Sequence, residues 1–517
     1  MTKHSELNPM GLRIWNKLKA IFFPVEKSEF GFFLPVFFLY FCLAFIYNGL
    51  RPLKITLVTS VSTAGAEIIP FLKVWGIVPG AFLFTYLFTR LSRVLSRENI
   101  FYTMISIFIS YYVLFATVLY PYGYVFTLDK VAEFLRSVLP TGMRGLISMI
   151  QYWYVSIFYV MCEVWSSVIM FMLYWGYVNE VTPMTKAARF YPLYNLGGNL
   201  ASTFSGWLLF TMSKKDFSIF LGEEKDSIAN YALVVIGIAT FMAIIATFLF
   251  RYSNKKMSEY PVYNLEFDPK PKKRKPEKVV FTLTESINQV LNSKYLLYLL
   301  VLVVAYNLVF NLTDILWSQE VKNYFGSDQI KMAGFIGKVT MYKGILSTFL
   351  VFLAHIIIRK FGWKRATLIT PVIILGTSLL FFPLISLQGN ELFKTFVFDM
   401  FSSSLTWISV VLGGVQNAMA RGTKYSIYDS TKEMAFIPLS IMEKRKGKAV
   451  IDGIASRIGK SSGSVIIMAL LLIFSNLQES IPYIALISIS VTVFWVMSII
   501  GLDELMKEKN NQVNEKA

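Results

Sequence analysis

Apolar runs of membrane-crossing length recur about twelve times along this chain of 517 residues. That repetition limits the fold more than any other feature. Lipid offers no hydrogen bonds to a backbone, so a spanning segment is a helix of roughly 20 mostly apolar residues or a strand of a closed barrel. The runs are Phe30–Leu50, Ile68–Thr89, Ile100–Leu119, Tyr152–Tyr177, Tyr191–Met212 and Ile228–Phe250, then Tyr295–Trp317, Met332–Ile358, Ala366–Leu387, Val397–Ala420, Gly459–Ser475 and Ile481–Leu502. The eleventh is short and is expected to begin nearer Lys448. Only 16% of residues are charged and mean hydropathy is +0.54. A soluble domain carries about a quarter charged residues, so a soluble globular fold and a disordered chain are both excluded. The first run follows a charged segment and is longer than the core of a cleavable signal peptide. The expected fold class is an all-α membrane protein.

The net charge of +18 takes its meaning from this setting. Excess Lys and Arg in a membrane protein mark cytoplasmic loops, so nucleic acid is not an expected partner. Loops on the side of the amino terminus hold about three times the Lys and Arg of the opposite loops, which predicts that both termini are cytoplasmic. Lys73, Lys338, Lys343, Arg457 and Lys460 fall within spans or at their edges. The run Asp268-Pro-Lys-Pro-Lys-Lys-Arg-Lys-Pro-Glu277 reads as a solvated, extended basic linker. It divides the chain into an amino-terminal segment 1–28, a six-helix half 29–251, a linker 252–294, a second six-helix half 295–502 and a tail 503–517. Six plus six suits a secondary transporter built from repeated halves. Faint internal similarity agrees: Tyr47-Asn48-Gly49-Leu50-Arg51 against Phe310-Asn311-Leu312-Thr313-Asp314, and Leu196-Gly197-Gly198-Asn199 against Ile458-Gly459-Lys460-Ser461.

A charge at mid-bilayer costs about 2.5–3.5 kcal/mol on insertion scales, so intramembrane charges face a bundle interior or a wet cavity. Glu163, Asp314 and Lys460 are such charges, and Lys54 lies just past the first run. Helical spacing aligns Asn307, Asn311, Asp314 and Ser318 on the seventh run, and Asn195, Asn199, Ser202 and Gly206 on the fifth. The eleventh aligns Asp452, Ser456, Lys460 and Ser464, and the fourth carries Ser156, Glu163 and Ser167. These stripes suit the walls of a wet pathway; for Ser and Asn, hydrogen bonding between helices is the competing reading. The fourth run is rich in aromatics, among them Tyr159 and Trp165, which stack a planar base or simply fill a core. Gly459-Lys460-Ser461 resembles the end of a phosphate-binding loop, but five residues separate Gly453 from Gly459 where the motif needs four. An ATPase is therefore rejected, although a Lys beside glycine still neutralises phosphate as a point charge. Two cysteines, Cys42 and Cys162, and two histidines, His4 and His355, provide no metal cluster, and neither a catalytic group nor a cofactor is expected. A membrane enzyme acting on a phosphorylated lipid is the alternative of another class, and it lacks a carboxylate or His cluster at the membrane face.

Longer segments carry a family resemblance. Arg51-Pro-Leu-Lys54 with Ala64-Gly-Ala-Glu-Ile-Ile-Pro-Phe-Leu-Lys-Val-Trp75, Trp175-Gly-Tyr-Val-Asn-Glu-Val-Thr182 and Arg189-Phe-Tyr-Pro-Leu193 resemble the nucleotide transporter family. So do Lys432-Glu-Met-Ala-Phe-Ile-Pro-Leu439 and Lys446-Gly-Lys-Ala-Val-Ile-Asp452 leading to Gly459-Lys-Ser461. These are the ATP/ADP translocases of plastids and obligate intracellular bacteria. The resemblance implies a twelve-helix bundle similar to the major facilitator architecture, placed in a bacterial inner membrane and working as a monomer. It places substrate binding on Lys54, Glu163, Asn199, Asp314 and Lys460; the polar stripe of the seventh run adds Asn311 as a binding candidate, and Arg51, Asp452 and Arg457 join Glu163 and Asp314 as gating or coupling candidates. Two lysines, one from each half, would clamp the phosphates, and the two carboxylates would pair with them in the empty site. Ile55 stands where most exchangers of the family carry Asp, and Asp314 where many carry Glu. Two readings therefore stay open: exchange of ATP for ADP, or proton-coupled import of a wider nucleotide set including GTP, UTP or CTP.

Overall fold

The structure, a computed structural model, describes residues 25–182, 184–215, 227–259 and 283–514. The basic run 268–277, expected as a linker, lies outside the described residues. Helices occupy all twelve expected positions. Among the described residues ten are long and apolar enough to cross a membrane, and a bent pair, Glu391–Phe401 with Leu405–Met434, would make eleven. The remaining one, Met184–Met212, is the fifth span, and Asn195, Asn199, Ser202 and Ser205 make it more polar than the others.

Several boundaries differ from the sequence expectation for physical reasons. The first span runs from Phe30 to Ser60, so Arg51 and Lys54 lie inside the helix and not beyond its end. Their charges do not end the helix because each is buried against an acidic partner. The eighth and ninth spans form one helical run, Gln329–Ser386, reversed at Gly362, whose φ of +79° only glycine adopts freely. The tenth span breaks in the serine run: Ser402 turns left-handed and the Ser404 hydroxyl caps the next helix by accepting from Trp407 N at 3.2 Å. The two pieces meet at 70°. The eleventh span begins at Met442. The sixth span continues to Glu259, a short helix Leu283–Leu291 precedes the seventh, and the last helix reaches Asn514.

The halves meet mainly where the fifth span packs on the eighth, and further where the first meets the seventh and eighth and the second meets the eleventh. In lipid, helices associate through close backbone approach and hydrogen bonds, with no hydrophobic drive between them. The fifth–eighth contact follows that rule. A Cβ added at Gly206 would lie 2.4 Å from Met341 N and 2.5 Å from Gly337 O, and Ser202 donates to Thr340 O at 3.0 Å. The polar stripe of the fifth span therefore serves, in part, to seat one half on the other.

One end of the bundle is sealed. Glu67, after the first span, accepts from Arg144 Nη2 at 2.6 Å and from Leu477 N of the other half at 2.9 Å. Ala66 N donates to Gln319 Oε1 across the halves at 2.7 Å. At the opposite end Arg189 pairs with Glu29 at 2.9 Å and Lys432 with Asp452 at 2.7 Å, each pair lying within one half.

Gly206→Leu should push the fifth and eighth spans apart, because the atoms it meets are backbone and cannot yield. The expected loss is about 1–3 kcal/mol, read as a lower unfolding midpoint in detergent by scanning fluorimetry. Gly237→Ala, which meets nothing within 4 Å, should leave the midpoint unchanged.

Candidate functional site

Pairs of opposite charge meet where the first and seventh spans cross. Arg51, 4% exposed, reaches Asp314 of the other half at 3.1 Å. Asp314 also takes Asn417 Nδ2 at 2.5 Å and Arg421 at 3.6 Å, both from the tenth span. One turn along the first span, Lys54 is 1% exposed and pairs with Glu163 of the fourth. The Lys54 ammonium also lies 4.8 Å from the centre of the Tyr159 ring, a favourable place for a cation. Unpaired buried charges are costly, and these contacts are what let the helices carry them through the bilayer.

A second layer uses amides. Lys343 of the eighth span, 7% exposed, donates to Asn48 Oδ1 at 2.8 Å. Lys73 of the second span donates to Asn311 Oδ1. Both bonds cross between the halves. Asn311 Nδ2 in turn donates to Lys460 O at 2.7 Å and Ser464 Oγ at 3.0 Å of the eleventh span.

Widened helical turns carry two of the cations. Lys73 lies in a π-helical segment, Leu72–Ile77, and Lys424 opens another, Lys424–Tyr428. Such turns re-aim side chains and cluster at functional sites. Lys424 lies 5.6 Å from the Tyr306 ring and pairs with Asp429 at 3.2 Å. Lys460 is exposed, yet Lys424, Arg421 and Tyr425 of its own half and Glu163 of the other all act on it. It therefore stands within electrostatic range of both halves. Arg51, Lys54 and Lys73 from one half and Lys343, Arg421, Lys424 and Lys460 from the other surround two central carboxylates, with Asp429 beside Lys424. Positive charge exceeds negative, and the arrangement suits an anion of several charges.

The sequence-derived candidates fall into three groups. Lys54, Glu163, Asn311, Asp314 and Lys460 come together here, joined by Arg51. Asp314 differs from expectation in its partners: it pairs with Arg51 and Arg421, not with a lysine, because those guanidinium groups lie on the helices that flank it. Asn199 is half-buried at the fifth–eighth contact, where its carbonyl accepts from Thr203 at 3.2 Å. Asp452 pairs with Lys432 towards the unsealed end, and Arg457 is exposed. In the fourth span, Trp165 is buried with its indole donating to Leu43 O at 3.2 Å and Phe158 stacks on Phe115, so these aromatics form core. Cys42 and Cys162 are free, buried thiols. Sequence reasoning missed the roles of Arg421, Lys424 and Lys343. The spacing Asn417, Arg421, Lys424, Tyr428 is one helical stripe and would have found the first two had the tenth run not been ended at Ala420.

Comparison with known proteins adds an independent finding. The family profile described as TLC ATP/ADP transporter matches residues 11–506. The chain is 37% identical over 509 residues to "ADP,ATP carrier protein 2" of Chlamydia pneumoniae, covering 95% of this chain and 91% of that protein. It is 35% identical over 482 residues to the "Plastidic ATP/ADP-transporter" of Solanum tuberosum, covering 93% of this chain and 74% of that protein. Among solved structures, a bacterial homologue of the iron transporter ferroportin in its inward-facing state superposes with a TM-score of 0.55 at 11% identity. That match covers 92% of this chain and 99% of the other, and it bears on fold alone.

Asp314→Asn should strand Arg51 and Arg421. Removing one partner of a buried pair costs about 3–5 kcal/mol, so the unfolding midpoint should fall sharply, whereas Asp314→Glu should stay near the original. Equal midpoints for the two variants would show that the carboxylate charge does not hold the cluster together.

Proposed function

Because the chain belongs to the TLC ATP/ADP transporter family, we propose that it exchanges ATP for ADP across a bacterial cell membrane with both termini in the cytoplasm. It is an integral membrane secondary transporter of nucleotides and not an enzyme. The observation that carries the exchange reading is the surplus of cations contributed by both halves around two carboxylates. A nucleotide brings several phosphate charges, and attraction to the lysines strengthens as water leaves the site. Lys54 and Lys460 are the phosphate ligands of this reading. Glu163 holds Lys54 while the site is empty and yields it to phosphate on binding. Asp314 keeps the two guanidinium groups in place. Rocking of the halves about this point, with the Glu67 end opening as the other closes, gives alternating access.

Proton coupling is the second reading, and the pairing of the carboxylates weighs against it. Asp314 serves Arg51 and Arg421 and is not free to carry a proton, and Glu163 serves Lys54 until phosphate takes that lysine, which leaves Glu163 as the one group of the pair on which symport would depend.

Reconstituted protein should take up labelled ATP only into liposomes that contain ADP or ATP. Uptake into empty liposomes driven by an acidic exterior would replace exchange with symport. Lys54→Gln and Lys460→Gln should each remove a charged hydrogen bond of about 1.5–3 kcal/mol, weakening ADP binding roughly ten- to hundredfold at low salt. Binding within twofold of the unaltered protein in both variants would remove these lysines from the site.

A further inference from the structure

The cross-half lysines obey a symmetry that the exchange reading does not use. Arg51 and Asp314 occupy matching places in the two similar segments, Tyr47–Arg51 and Phe310–Asp314, and they meet at 3.1 Å. Asn48 and Asn311 match in the same segments. Lys73 lies on the second span of its half and Lys343 on the second span of the other. Each reaches across to the other half's asparagine. The two bonds therefore form a two-fold related pair about the Arg51–Asp314 contact.

Their chemistry sets them apart from the ion pairs. Asn48 Nδ2 is committed to Ala44 O at 2.8 Å, and Asn311 Nδ2 to the eleventh span, so each amide turns its oxygen to the lysine. An amide oxygen fixes an ammonium in position but leaves its charge unbalanced. The charged groups acting on Lys343 among the described residues are Arg421 and Arg51, both cations. Lys73 feels Asp314 and Glu163, but those carboxylates are already engaged by closer cations. A phosphate oxygen is a better partner for either lysine than the amide it now holds.

Resting on the exchange reading, we infer that Lys73 and Lys343 are paired clasps that nucleotide phosphate releases. In the empty carrier each ties its half to the opposite asparagine. Parting the halves then strands two buried ammonium groups, and the empty carrier does not rock. When nucleotide binds, the lysines pass from amide to phosphate oxygen, the ties across the interface are lost, and the loaded carrier turns over. A ligand shifts a conformational equilibrium only by its differential affinity for the two states, and the clasps supply that difference. Strict exchange follows, since neither direction proceeds without cargo.

The test uses proteoliposomes loaded with labelled ATP and assayed for efflux into buffer with or without ADP. Efflux from the unaltered carrier should require ADP. Asn48→Ala frees Lys343 while keeping its charge, and should raise the ratio of ADP-independent to ADP-dependent efflux by about tenfold or more. Asn48→Asp restores a partner for Lys343 and should restore coupling. An unchanged ratio in Asn48→Ala, or equal uncoupling in both variants, overturns the inference. If Asn48→Ala fails to fold, Ala64→Cys gives a second measurement on an otherwise unaltered chain. Ala64 is buried at the sealed end, and the native thiols Cys42 and Cys162 are buried as well. Labelling of this cysteine by a charged thiol reagent should accelerate with ADP and with inorganic pyrophosphate but not with adenosine. Equal acceleration by adenosine, or none by ADP in a carrier that still exchanges, overturns the clasps and leaves exchange intact. Loss of ADP-dependent flux from the unaltered carrier would instead count against exchange itself.

Discussion

Uncompensated positive charge near the middle of a membrane is the constraint on which this structure depends. Cations are expensive there, and the chain places them on both halves in excess of the carboxylates available. No arrangement of the two halves alone balances them all. The structure manages the excess in three ways: ion pairs at Arg51–Asp314 and Lys54–Glu163, amide ligands at Asn48 and Asn311, and aromatic faces at Tyr159 and Tyr306. Each is a weaker partner for a cation than a phosphate would be, or is shared among several cations. A polyanion would balance the surplus, and the proposed clasps would let the energy of that pairing move the halves.

Much of this was legible in the sequence. Twelve apolar runs gave the fold class because lipid permits few alternatives. Lys54, Glu163, Asp314 and Lys460 stood out because charge inside an apolar run is conspicuous. Legibility failed where polar residues were read as ends of spans. Arg421 and Lys424 follow Ala420 closely, and a hydropathy reading stops at such a pair, yet the helix continues to Met434 because Asp314 and Asp429 compensate the charges from inside the bundle. Lys54 was placed just past its span for the same reason. The partner that makes a buried charge tolerable lies hundreds of residues away, and local pattern does not contain it. The asparagines show the same limit from the other side. Asn311 and Asn199 sit on similar polar stripes, but only Asn311 is drawn into a charge network; the carbonyl of Asn199 takes part in helix packing.

The two halves share a frame but not a polarity. In the first half the first span carries the cation, Lys54, and the fourth the acid, Glu163. In the second half the seventh span carries the acid, Asp314, and the tenth the cation, Arg421. This inversion has a direct physical consequence at the axis. Matching positions of a duplicated structure meet there, and identical charges would repel across it. Arg51 facing Asp314 turns the same juxtaposition into attraction. The lysines of the second and eighth spans keep the same sign, and they avoid repulsion by being held apart, each on the far half's asparagine. The axis contact therefore joins the halves through opposite charges, while the flanking contacts hold like charges in reserve. A bundle arranged in this way has one internal contact satisfied without cargo and two that are better satisfied with it, which is the asymmetry between empty and loaded states that obligatory exchange demands.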